Sequence, residues 1–135
     1  MVQLLGVPTD PFVQSKYVVS LDDSNFWQFL NIKNATMVMF YDPSNMDCYP
    51  AAHNLAIAAK DTHRSNHAFA AVDCSRNRAL CIDNLAWTLP TFKVFSRLNP
   101  VSTVREDPTY THEQMRQDVE QAPPTLNWQS FQGNL

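Results

Sequence analysis

The chain has 135 residues, 44% of them hydrophobic, and a net charge of −3. That is the length of one domain, with apolar material enough for an ordinary core. A weakly acidic chain suits neither nucleic acid nor an anionic membrane as main partner, and no apolar run approaches the roughly 20 residues that cross a bilayer.

Residues 1–15 hold two prolines and no periodicity, which reads as an irregular arm. Met1 to Val7 is too short and polar for a secretory leader, so the chain is expected to be cytosolic or a mature or excised piece of a secreted protein. Lys16 to Leu21 is strand-like, and Asp22, Asp23 and Ser24 are helix-cap types. Phe26, Trp27, Phe29 and Leu30 then follow a helical spacing. Asn31 to Ala35 reads as a loop. Thr36 to Tyr41 is apolar on both faces, as a strand covered on both sides should be.

Asp42-Pro43 breaks that strand, and a short polar loop leads to Cys48. A helix is expected to start near Tyr49 or Pro50, capped by Asp47 or Cys48, and to run to about His63. Proline is welcome in a first turn and costs about 3 kcal/mol deeper in a helix. Ala68 to Val72 is a short apolar strand, and Arg76 to Asn84 a short helix carrying Cys81. Trp87-Thr88-Leu89-Pro90 leads into the strand Thr91 to Phe95; Arg97 to Pro100 turns, and Val101 to Arg105 returns as a hairpin strand. Glu106-Asp107-Pro108 breaks the chain. Thr111 caps a last helix, with Glu113 or Gln114 as box partner and Met115 and Val119 on its buried side. From Ala122 a Pro-rich tail follows, with Leu126, Trp128 and Phe131 apolar enough to dock. The order β-α-β-α-β-α-β-β-α predicts an α/β fold, a mixed sheet flanked by helices on both faces.

Three stretches carry a resemblance. Phe40-Tyr41-Asp42-Pro43, four residues, then Cys48 is similar to F-Y-A-P-W-C-G-H-C. Val72-Asp73-Cys74, six residues, then Cys81 is similar to a V-D-C…C segment. Leu89-Pro90-Thr91-Phe92-Lys93-Val94-Phe95 is similar to Y-P-T-L-K-V-F. Together they resemble a thioredoxin-like domain of the protein disulfide isomerase family, over about Lys16 to Gln121. The resemblance implies the thioredoxin fold, a cis peptide before Pro90 and a structural Cys74–Cys81 disulfide. Such a bond would place the chain in an oxidising compartment, the endoplasmic reticulum lumen or outside the cell. Two buried thiols are the alternative for that pair.

The chemistry of that family is largely missing. Disulfide exchange needs an attacking thiolate and a resolving thiol. The aligned motif reads Asn45-Met46-Asp47-Cys48, so the attacking position has no thiol. Ser44 stands for the family's tryptophan, Met39 for its buried carboxylate, Thr109 or Tyr110 for its arginine, and Thr88 for the glycine before the proline loop. The expectation is a redox-inactive binding, chaperone or scaffolding module, not a dithiol enzyme. Its partners would be polypeptide clients or neighbouring domains. Its degenerate site would comprise Ser44, Asn45, Met46, Asp47 and Cys48, and its groove Trp87, Thr88, Leu89, Pro90 and Thr91. A second expectation is monothiol exchange or a covalent tether through a mixed disulfide at Cys48.

Other constellations are weak. His53, His63 and His67 form no compact ligand set with the cysteines and read as surface residues, so no metal is expected. With Gly6 and Gly133 the only glycines, no phosphate loop exists and no cofactor is implied. Phe26, Trp27, Phe29, Phe40, Phe69, Phe92 and Phe95 read as core. Asn34-Ala35-Thr36 is one N-glycosylation sequon, usable on a secretory route.

Overall fold

The computed structural model describes residues 15–105 and 109–124. The expected N-terminal arm up to residue 14, the Glu106-Asp107-Pro108 break and the tail beyond Pro124 lie outside the described residues. The strands are β1 (Val18–Leu21), β2 (Ala35–Tyr41), β3 (His67–Asp73), β4 (Thr91–Ser96) and β5 (Asn99–Arg105). The helices among the described residues are α1 (Phe26–Asn31), α2 (Cys48–Asp61), α3 (Arg78–Asp83) and α4 (His112–Glu120).

The sheet order is β1-β3-β2-β4-β5. β1, β3 and β2 run parallel, while β4 is antiparallel to β2 and β5 to β4. β2 lies in the middle, and all seven of its residues are buried. Strand alternation sends them to two cores. Met37, Met39 and Tyr41 pack with Phe69, Phe92 and Val94 beneath α2 and α4, which supply Ala52, Leu55, Ala58, Met115 and Val119. Val38 and Phe40 pack with Val72 and Phe95 beneath α1 and α3, which supply Phe26, Leu30, Leu80 and Cys81. Phe26 sets its ring edge against Phe95, centroids 5.8 Å apart. Burying side chains of this size contributes about 1.5–3 kcal/mol each.

Each parallel strand ends in the same way. Asp22, Asp42 and Asp73 each accept from the backbone N–H and the hydroxyl of the serine two residues on, at 2.6–2.9 Å. This Asx turn gives the backbone a partner outside the ladder and stops the strand.

Several expectations change. Trp27 is 44% exposed, not core, because the single buried stripe of a six-residue helix is taken by Phe26 and Leu30. Phe29 is half-buried. β5 begins at Asn99, since Pro100 sits on an edge strand where a missing N–H removes nothing essential. α3 is shorter than expected, beginning at Arg78. His67 opens β3 half-buried, with Nδ1 unpartnered. Burial, reinforced by Arg64 and opposed by Glu120, holds its imidazole below the ordinary 6.5.

Candidate functional site

The Ser44–Cys48 segment and the loop before Pro90 meet beyond the carboxyl ends of the parallel strands, where open α/β sheets bind ligands. Asp42 accepts from the Ser44 backbone and hydroxyl, and those bonds hold its carboxyl below the usual carboxylate range, with Arg78 adding to the effect. α2 begins at Cys48, with Asp47 at the cap position but making no side-chain cap bond. Pro50 is thus the third helical residue. The N–H groups of that turn have no intrahelical acceptor, so proline costs no hydrogen bond there. The expected late start was late by about one residue.

Asn45 instead makes an Asx turn just ahead of the helix. Its Oδ1 accepts from the Asp47 N–H at 2.9 Å, and its Nδ2 donates to the Leu89 carbonyl at 3.2 Å. The two partners fix the amide's orientation, since one side must accept and the other donate. Asn45 therefore ties the Ser44–Cys48 segment to the loop before Pro90.

Leu89–Pro90 is cis. Of the expected groove, Trp87 is 64% exposed, Thr88 is exposed and Leu89 is half-buried against both cores. Pro90 and Thr91 are buried, and the Thr91 hydroxyl donates to the Thr88 carbonyl, so neither offers a side chain to a ligand. On the motif side Met46 is 71% exposed. Tyr49 is also exposed and donates its hydroxyl to the Pro43 carbonyl. The residue types alone did not single out Tyr49, nor Leu85 just before the loop, as exposed apolar groups.

Cys48 is fully buried, in the core that contains Met39. Tyr110 joins that core too, edge-on to Phe92, and donates to Asp118. Burial, with Asp118, raises its phenol far above the ordinary value. Of the positions the resemblance pairs with a carboxylate and an arginine, Met39 is a buried thioether, Thr109 is exposed, and Tyr110 is a buried phenol bonded to Asp118. Cys74 and Cys81 are disulfide-bonded, Cα atoms 5.8 Å apart, beside the site, where the Cys74 N–H donates to the Tyr41 carbonyl. Asn34 lies at the opposite end of β2. Among the described residues no three His, Cys, Asp or Glu side chains gather as metal ligands.

The fold matches solved structures over most of the chain. This is a thioredoxin fold. The thioredoxin fold here superposes on human ERp44 (form II) with a TM-score of 0.70 and 19% identity, over 86% of this chain and 32% of that one. It superposes on the first thioredoxin domain of mouse protein disulfide-isomerase A4 with a TM-score of 0.66 and 22% identity, over 88% of this chain and 91% of that one. A mutant thioredoxin from Halobacterium salinarum gives 0.69 and 15%, over 84% and 98%. The chain thus spans about a third of ERp44. No protein-family model and no curated protein matches the sequence. At these identities the likeness carries the thioredoxin fold and not an activity.

Proposed function

We propose that this chain is a polypeptide-binding module of the disulfide isomerase type that has no dithiol exchange of its own. The observation that carries the reading is Asn45, which occupies the attacking position and is hydrogen-bonded on both sides. An amide cannot supply the thiolate that exchange requires. Met46 and Tyr49 are exposed close to Asn45 in the chain, and Leu85 and Trp87 are exposed shortly before Leu89, so the Asn45–Leu89 bond joins the two segments that carry them. Apolar side chains clustered along two tied loops suit an extended, unfolded polypeptide. The Cys74–Cys81 bond supports an oxidising compartment, the endoplasmic reticulum lumen or the exterior.

The complete burial of Cys48 weighs against a covalent tether, because mixed-disulfide formation needs access to the sulfur. Two assays test the reading together. Insulin reduction should proceed no faster with the protein than with reductant alone. A reduced, carboxymethylated polypeptide should bind, and its Kd should weaken at least tenfold in the double variant Met46→Ser/Trp87→Ser and stay unchanged in Cys48→Ala. Catalysed insulin reduction, no binding, or binding indifferent to the double variant would each sink it.

A further inference from the structure

The sequon was left aside by the site, and its threonine is anomalous. Thr36 is 1% exposed in the central strand β2, paired with Ala68 on one side and Phe95 on the other. Its Oγ1 has no hydrogen-bond partner. A buried hydroxyl without a partner destabilises a fold, and valine would fill the same shape on a strand without that penalty. Among the described residues nothing partners the oxygen. Two residues away, Asn34 is exposed in the turn before β2. Its backbone is fixed by the Asn66 carbonyl and the Arg97 N–H, and its Oδ1 accepts weakly from Arg97 Nη2 at 3.4 Å.

We infer that Asn34 is an N-glycan acceptor whose Thr36 hydroxyl is read in the unfolded chain and then buried. Sequon recognition needs the hydroxyl at the +2 position. The native strand hides it completely, so transfer must come before β2 joins β3 and β4. The asparagine stays at the surface, where a bulky sugar is accommodated. In the transfer, the Asn34 Nδ2 forms a bond to the anomeric carbon of an oligosaccharide carried on a lipid diphosphate. The carbon–oxygen bond to the diphosphate breaks, the diphosphate leaves with the electron pair, and the amide proton goes to a base. In the cell this rests on the secretory route proposed above; acceptor competence itself does not, and is tested without it.

The full chain, either native or reduced and S-alkylated in denaturant so that an adduct on buried Cys48 keeps it unfolded, is incubated with a eukaryotic single-subunit oligosaccharyltransferase and a lipid-linked oligosaccharide, and intact mass is read. The unfolded chain should gain one glycan, lost in Asn34→Gln and in Thr36→Val. The native chain should be modified at least tenfold more slowly. Thr36→Val should fold with a Tm equal to or above that of the parent. No modification of the unfolded chain overturns the acceptor assignment, and equal rates on both forms overturn the order of events. A Tm drop of more than about 4 °C in Thr36→Val shows that the hydroxyl serves the fold, which removes the argument. None of these outcomes bears on peptide binding, so failure here leaves that reading standing.

Discussion

Opening the Cys74–Cys81 bond should cost a defined amount of stability. The cysteines are seven positions apart, so the bond closes a small ring. In the chain-entropy treatment a ring of this size removes about 8 cal/mol/K from the unfolded ensemble, or about 2.4 kcal/mol at 25 °C. The folded state should change little. Cys81 is buried and Cys74 half-buried, and thiols tolerate such sites. Asn77 also holds the loop, accepting from the Asp23 N–H and donating to the Asp73 carbonyl. With the roughly 100 described residues and an unfolding entropy near 2.1 cal/mol/K for each, the loss is a Tm drop of about 10 °C. The assay is calorimetry with and without a phosphine reductant, alongside Cys74→Ala/Cys81→Ala. Similar drops in both are expected. A shift under about 3 °C on complete reduction would refute the entropic reasoning, and a much larger drop in the double variant alone would move the cause to lost packing.

Leu85 sits at φ 58° just past α3, where Leu85 N–H bonds to the Ile82 carbonyl and Ala86 N–H to the Cys81 carbonyl. That is a Schellman ending with leucine where glycine is favoured, so Leu85→Gly should gain about 1 kcal/mol, read as a raised urea midpoint; a loss would show that this backbone is not strained. The Thr111 hydroxyl accepts from the Gln114 N–H at 3.2 Å, and Thr111→Ala should cost about 1 kcal/mol by the same titration, with no change indicating that water replaces the cap. His67 has a native value below its unfolded 6.5, so the native state binds fewer protons between the two. Its contribution is full above pH 6.5 and is lost as pH falls through the native value. Tm should therefore decline between pH 7.5 and 5 more steeply in the parent than in His67→Gln, and parallel declines would count against this assignment.

The fold was legible because its signals are local. β2 was placed to within one residue, since an uninterrupted apolar run between a polar loop and Asp-Pro has few other readings. Thr111 was found as a cap from residue type alone. The site was legible in part. The segment around Asn45 and the loop at Leu89 were singled out and do meet, but their bond joins residues 44 positions apart, and no periodicity encodes it. Trp27 failed for a geometric reason: adjacent apolar residues on a helix point about 100° apart, and a six-residue helix buries one stripe. The three Asp-x-Ser strand endings were visible in the sequence as a repeated tripeptide, although each alone resembles an ordinary cap.

The sheet order has a consequence for synthesis. β3 lies between β1 and β2, yet both emerge from the ribosome before it. The 32 residues from Asp42 to Asp73 must follow before β2 gains its first neighbour. At roughly 5–20 residues per second that takes about 2 to 6 seconds. Throughout, Met37-Val38-Met39-Phe40-Tyr41 is an uncharged, strand-prone pentapeptide without either of its sheet partners β3 and β4, the kind of segment that associates with other copies. The same interval keeps Asn34 to Thr36 extended and uncovered. The centre of the finished sheet is thus the nascent chain's most exposed hazard, and the yield of soluble protein should depend on what shields those five residues until β3 arrives.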